Sequence, residues 1–158
     1  MARKVIDRRA SDNKYLHKDF HGAMLCGLDY VFDRYGREGF EAYVRQTAAA
    51  IHAPLRDAIQ RKGLPALEEY LRDIFTTEEG DFSSAWDGDS LVFTVNVCPA
   101  VSYLRQEGYD VPERFCEVTR IINQVICEGT GFASEVNYDT AAARCVQRFF
   151  PAARGGER

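Results

Sequence analysis

The sequence predicts a single α+β domain in which N-terminal helices pack with a roughly four-stranded antiparallel sheet built from two hairpins. Two observations support this fold class. The first half of the chain has apolar residues at three- and four-residue steps, which is helical spacing. Two later stretches alternate as strands on both sides of a short turn, and helical segments separate them. Helices and strands are thus segregated along the chain, as in α+β domains.

The helices of the first half are predicted from apolar spacing and helix-breaking residues. We expect a first helix over 12–35, because Gly36 is suited to end it. A second helix is expected over 38–62, with Pro54 kinking or splitting it. A third helix is expected over 65–75.

The second half begins with a predicted hairpin, 82–86 and 90–97, because Asp-Gly between two alternating runs is a strong turn signal. A short helix is expected from Pro99, since proline is favoured in the first turn of a helix. The elements predicted after it are a helix over 113–128 and strands over 132–138 and 142–149.

We predict one domain over 12–150, preceded by a mobile N-terminal arm, 1–11, and followed by a disordered tail, 151–158. The chain of 158 residues is long enough to bury a core without staples. Its net charge of −4 argues against nucleic acid as the main partner. No apolar run is long enough for a membrane span, and we expect a cytoplasmic protein without a membrane partner.

The stretch from Asp89 to Pro99 contains the strongest chemical signal. Alternation places Thr94, Asn96 and Cys98 on one face of the predicted strand. Cys98 then lies where the strand gives way to a helix, and free N–H groups and the helix dipole favour a thiolate there. Cys98 is therefore the candidate nucleophile.

His17 and His21 lie four residues apart, so they share one face of the first helix. This spacing suits acid–base chemistry at a pocket, or joint ligation of a metal ion. The alternative for each is a structural histidine with a hydrogen-bond partner. We predict no metal, and keep a divalent ion such as zinc on His17, His21 and Cys98 as the alternative.

The remaining candidates are polar and cysteine side chains of the second half. Cys98 ends a predicted strand, Cys116 lies in the first turn of a predicted helix, and Cys145 is in the middle of a predicted strand. Together these cysteines suit a metal site, a nucleophile with neighbours, or plain packing. An arginine, 144 or 148, is suited to grip a carboxylate. The predicted substrate-binding residues are Asn96, Cys116, Glu135, Asn137, Arg144 and Cys145.

The chain resembles the L-2-amino-thiazoline-4-carboxylic acid hydrolase family over most of 14–150. The resemblance rests on the helix H-K-D-F-H-G-A-M-L-C-G-L-D-Y-V-F-D-R-Y-G, the strand end V-N-V-C-P, the helical F-C-E and the closing A-A-R-C-V-Q-R-F-F. The motifs that carry this resemblance contain Cys98, Cys116 and Cys145. It implies hydrolytic opening of a small cyclic amidine. A fainter resemblance links the chain to the 4-vinyl reductase domain, a small-molecule-binding α+β module.

Two classes of function follow from these features. In the first, the protein is a hydrolase of a C–N or C–S bond: Cys98 attacks, and His17 or His21 moves the proton. In the second, it is a non-catalytic sensor or carrier whose pocket binds a small molecule. A homodimer formed through the first helix is a further alternative. The acidity of the Cys98 thiol distinguishes the first two classes.

Overall fold

The structure is a computed structural model that describes residues 16–152, without the side chains of Leu16, His17 and Asp19. The predicted arm, 1–11, the predicted start of the first helix at 12, and residues 153–158 of the predicted tail lie outside the described residues. Within the described part, the chain forms helices first and then an antiparallel sheet, which confirms the α+β prediction.

The breaks between the N-terminal helices lie where glycine and proline predicted them. Helix α1 spans Leu16–Ile51, and Gly36 interrupts it with φ 67° and ψ −169°, a left-handed conformation that glycine adopts without a Cβ clash. Pro54 lies in the first turn of the next helix, so it splits the predicted second helix rather than kinking it. The two helices that follow are α2 (Ala53–Lys62) and α3 (Leu64–Thr77).

The second half contains the two predicted hairpins. Its elements are β1 (Asp81–Asp87), β2 (Ser90–Val97), α4 (Pro99–Gln106), α5 (Glu113–Cys127), β3 (Phe132–Asp139) and β4 (Arg144–Pro151). The strands form one antiparallel sheet in the order β1-β2-β4-β3, so the two hairpins join along β2 and β4. Pro151, the first residue of the predicted tail, pairs with Phe132 and therefore belongs to the sheet.

A bulge near the end of β2 changes the face of the sheet to which the side chains after it point. Phe82 pairs with Val95 while its neighbour Asp81 pairs with Val97, so Asn96 is the extra residue. One extra residue reverses the alternation of side chains beyond it. Asn96 is exposed, whereas Cys98 packs against the buried core. Thr94 and Asn96 line the same outer groove, as their predicted shared face requires, but the prediction that Cys98 shares that face is wrong.

The helices cover one face of the sheet, and the core has two parts. One cluster lies between the sheet and helices α2, α3 and α5, around Phe93 and Phe149. The other lies among α1, α4 and α5, around Phe40 and Ile121. Cys98 packs against both clusters. The end of β2 is thus where the two halves of the core meet.

The opposite face of the sheet, here named the open face, carries the outward residues of all four strands. Among them are two arginines in ion pairs, Arg148 with Asp87 at 3.1 Å and Arg144 with Asp139 at 3.7 Å. No helix of the described residues is both long and apolar enough to cross a membrane.

Candidate functional site

A cavity of about 280 Å³, here named the inner pocket, lies where the two core clusters meet. Side chains from α1, α3, α4, α5, β3 and β4 line it, and most of them are apolar. A largely apolar cavity with a few polar groups is the usual form of a small-molecule site. The polar or sulfur-bearing groups considered below are His21, Glu78, Cys98, Cys116, Arg144 and Cys145.

Three of the predicted site cysteines line this one cavity. Cys98 precedes α4, Cys116 is in the first turn of α5, and Cys145 is in β4. The backbone N–H of Cys98 donates to the carbonyl of Ala143 at 2.7 Å, which holds the end of β2 beside the start of β4. The chain thus brings together cysteines that are far apart in sequence.

The Cys98 thiol is less acidic than its position predicted. Burial raises its pKa, and this outweighs the backbone N–H groups of Val101 and Ala100, which lower it. Charge on Cys116 and Glu78 raises it further. The N–H groups at the helix N-terminus therefore lower the pKa of Cys98, as predicted. Burial raises this pKa by more, because the sulfur is largely removed from water. The prediction of an unusually acidic thiol is wrong.

The other two sulfurs of the inner pocket are also held in the thiol form. Burial raises the pKa of Cys116, while the Thr140 hydroxyl and Arg105 partly offset it. Burial raises the pKa of Cys145 to about 11, although the side-chain amide of Gln147 donates to its sulfur at 3.6 Å. At neutral pH these side chains are therefore small, polarisable and uncharged.

The amide that contacts Cys145 belongs to a buried pair. Asn123 of α5 donates from Nδ2 to Oε1 of Gln147 at 2.7 Å, and both residues are almost fully buried. This bond uses the Gln147 oxygen, which leaves its Nε2 to face the sulfur of Cys145. The pair thereby holds one wall of the inner pocket in place.

His21 is the polar side chain of α1 at the inner pocket. Its Nε2 lies 2.8 Å from Oε2 of Glu78, which follows the last turn of α3. A carboxylate can only accept a hydrogen bond, so Nε2 is the donor. Both side chains are largely buried, with 11% and 15% of their surfaces exposed. Glu78 was missed in the sequence because it sits in a stretch that looks like an ordinary polar loop.

The second predicted histidine, His17, lies in α1, but its side chain is outside the described residues. Among the side chains that are described, no group of three His, Cys, Asp or Glu residues is arranged to hold a metal ion. Since one of its three proposed ligands is not described, the zinc alternative on His17, His21 and Cys98 stays a prediction.

The predicted polar lining is divided between the two faces of the sheet. Cys116 and Cys145 line the inner pocket. Arg144 borders both this pocket and the groove of the open face, where its side chain is paired with Asp139. Asn96 and Asn137 instead line an open groove on the other side of the strand ends, and Asn96 is hydrogen-bonded to Asp81 at 3.1 Å.

Glu135 also has its side chain on the open face, where it lies opposite Arg148 in the register of β3 and β4. Strand alternation could have separated these outward positions from the inward ones. It could not show which of the two faces the helices cover.

A scan against protein-family models finds no family that matches the chain, and a search of the curated proteins finds no match. The resemblance to the thiazoline-carboxylate hydrolases stays a prediction. The function is therefore argued from the inner pocket itself.

Proposed function

We propose that this domain binds a small, largely apolar molecule in the inner pocket, as a sensor or carrier. The observation that carries the proposal is an apolar cavity whose three thiols all have raised pKa values. A cysteine nucleophile needs its thiolate form. Protonated thiols favour the alternative role, in which sulfur is part of an apolar wall.

The size of the inner pocket supports a ligand of about two fused rings. Its volume of about 280 Å³ is close to twice that of a cavity of roughly 150 Å³, which accommodates benzene. It is also near the lower limit of ordinary ligand pockets, roughly 300 Å³. We therefore propose a compact ligand rather than a long lipid.

The location of the inner pocket explains how a ligand would act on the whole domain. Cys98 and Ile122 each contact both core clusters and also line the cavity. A bound apolar molecule would add contacts to the two halves of the core at once. Binding to the native state alone stabilises it by about 2.7 kcal/mol when the ligand is at 100 times its Kd.

The first test fills the cavity. Val136 of β3 lines the inner pocket, so Val136→Phe is expected to occupy the space that a ligand needs. The probe is 2-methoxynaphthalene, a neutral two-ring molecule, and the readout is the midpoint of thermal unfolding. We expect the probe to raise the midpoint of the wild-type protein by several degrees and to leave that of Val136→Phe unchanged.

The matched control is the same substitution on the other side of the sheet. Val146 is in the adjacent strand, and its side chain is 41% exposed on the open face. Val146→Phe is expected to keep the full response to the probe. Equal responses in both variants would show that the probe does not enter the inner pocket, and would refute the proposal.

A second candidate is the hydrolase predicted from the sequence. It is favoured by one arrangement: Cys98 receives backbone N–H groups at the start of α4 and shares the inner pocket with His21. In this alternative the Cys98 thiolate adds to the ring carbon of a cyclic amidine, the electron pair of its C=N bond moves to the nitrogen, and His21 protonates that nitrogen. A ring bond to this carbon then breaks, and water displaces the cysteine sulfur from it. A depressed thiol pKa is what this chemistry requires.

The rate of alkylation of Cys98 separates the two candidates. We expect iodoacetamide to label Cys98 slowly at pH 7, with a rate that increases up to and beyond pH 9, because burial raises the pKa. Peptide mass spectrometry follows each cysteine, and the exposed Cys26 is the internal reference for rapid labelling. A Cys98 rate that is already maximal at pH 7 would instead support the nucleophile.

A further inference from the structure

We propose that two copies of this protein associate through the exposed side of the first half of α1, with the two helices antiparallel. The surface that makes this contact, here named the α1 stripe, consists of Phe20, Ala23, Gly27 and Tyr30. None of these four residues lines the inner pocket. The proposal therefore does not depend on the binding function argued above.

The exposed side of α1 lacks charge over about three helical turns. Between positions 20 and 30 every exposed residue is uncharged, although 28% of the residues of the whole chain are charged. These exposed residues are Phe20, Ala23, Cys26, Gly27 and Tyr30. The solvent side of a helix ordinarily carries charged and polar side chains, so this side differs from a solvated surface.

The α1 stripe lies opposite the face of α1 that packs on the core. At about 100° per residue, its four members fall within about 80° of arc and extend over about 15 Å of helix. The opposite face carries Leu25 and Leu28, which are buried in the cluster among α1, α4 and α5. Beyond the backbone of its own helix, no described atom lies within 4 Å of the position that a Cβ on Gly27 would take. The described part of the chain thus leaves the α1 stripe uncovered.

The order of residues along the α1 stripe is symmetric about Leu25. Phe20 lies five positions before it and Tyr30 five positions after it, while Ala23 and Gly27 lie two positions before and after. Two helices that cross antiparallel at Leu25 would place Phe20 of one copy opposite Tyr30 of the other, and Ala23 opposite Gly27. A two-fold interface requires this matching, because both copies present the same patch. A second copy is therefore the partner that the stripe fits.

The residue types of the α1 stripe suit a close pair of helices. Small residues at the centre let the two helices approach, since the distance between packed helix axes depends on the side chains at the contact. The aromatic residues then meet at both ends of the contact. Aromatic pairs stabilise an interface by more than the area they bury, so Phe20 and Tyr30 are the expected anchors.

The area of the α1 stripe sets the expected strength of the dimer. Phe20 is 59% exposed and Tyr30 is 65% exposed. Because an aromatic side chain buries roughly 150–250 Å², these two rings offer about 250 Å² per copy, about a third of the ~800 Å² that each partner buries in a standard interface. We therefore expect a reversible dimer with a Kd in the micromolar range rather than a permanent one.

The first experiment measures the mass of the full-length protein in solution. Sedimentation equilibrium under reducing conditions covers concentrations from about 1 to 300 μM, which span a micromolar Kd. We expect the average mass to rise with concentration from 17.9 kDa toward twice this value. Gly27→Glu is expected to raise the Kd at least about tenfold, because it puts a charge into both halves of the contact. Since glutamate favours a helix more than glycine does and the space is open, the fold should persist.

Ala42→Glu is the matched control for this substitution. Ala42 is exposed in the second half of α1, beyond the break at Gly36, so the variant adds the same charge to the same helix outside the α1 stripe. We expect its Kd to stay within about twofold of the wild-type value. Circular dichroism shows whether both variants are folded.

Cross-linking tests the antiparallel arrangement. Cys26 and Asp33 are both exposed and lie seven positions apart, so they share one side of the helix. In an antiparallel pair that crosses at Leu25, the two copies of Cys26 are about 3 Å apart along the helix axis, whereas the two copies of position 33 are about 24 Å apart. A short bis-maleimide should therefore link two wild-type chains through Cys26, and should not link Cys26→Ser/Asp33→Cys through its new thiol. Mass spectrometry identifies the linked residues.

Several results would overturn the proposal. If the protein remains at 17.9 kDa up to about 300 μM, two copies do not pair, and the α1 stripe is left to residues 1–15 or to a different protein. If Gly27→Glu associates as tightly as Ala42→Glu, the dimer uses another surface. Equal cross-linking at positions 26 and 33 would indicate a parallel pair, and no cross-linking at either would exclude a contact at Leu25. None of these outcomes affects the inner pocket, whose binding test is separate.

Discussion

Replacing Phe93 with alanine is expected to lower the free energy of unfolding by about 3–5 kcal/mol, because it empties a large space in the core. Phe93 of β2 has no exposed surface. Its ring stacks on Phe82 with the centroids 5.1 Å apart and is 5.2 Å from the ring of Phe75. Truncation would remove contacts with both rings, which come from the neighbouring strand and from α3.

Urea denaturation monitored by circular dichroism measures this loss. Val92→Ala is the matched control, since Val92 is the preceding residue of the same strand, on the open face, and is only partly buried. We expect this control to lose less than half as much stability as Phe93→Ala. A comparable loss in both variants would show that the helices do not cover the face of β2 that carries Phe93.

The protein is expected to lose stability steeply in alkali. Burial raises the pKa of both Cys127 and Cys145 to about 11, compared with 9.0 for an unperturbed thiol. A group whose pKa is raised in the folded state contributes stability below its unfolded pKa, and this contribution is lost as the pH rises through the folded value. Between pH 7 and 10.5, each of these thiols should lower the free energy of unfolding by about 2 kcal/mol.

The measurement is the change in unfolding free energy between pH 7 and 10.5. The double variant Cys127→Ala/Cys145→Ala should show a pH-dependent loss about 4 kcal/mol smaller than that of the wild type, whatever its stability at pH 7. Cys26→Ala is the control. Because Cys26 is exposed, this substitution should leave the pH-dependent loss of unfolding free energy unchanged. If the double variant has the wild-type pH dependence, these two thiols are not kept protonated by burial.

The elements of the fold could be predicted from the sequence because their signals are local. Gly36 has a left-handed φ angle and interrupts α1 where the sequence predicts the end of a helix. Gly63, also at positive φ, separates α2 from α3. The Asp-Gly turn joins β1 to β2, and Pro99 starts α4. In each case the backbone preference of one or two residues decides the boundary, and no distant contact is needed.

The candidate site was predictable only in part. Cys98, Cys116, Cys145 and His21, which the sequence analysis assigned to one candidate site, line one cavity. The bulge at Asn96 was not predicted, because it depends on the register with β1. This bulge decides that Cys98 faces the core instead of the open face.

The sequence by itself determined the order of helices and strands, the hairpin turns and the residue types available for chemistry. These properties depend on backbone preferences and on periodicity within a few residues. Only the tertiary structure decided the protonation of the thiols and the partner of His21. Glu78 is 57 residues from His21 along the chain, and the pKa of a buried thiol depends on all the atoms that exclude water from it. Neither the partner of a side chain nor its exclusion from water can be read from its neighbours in sequence.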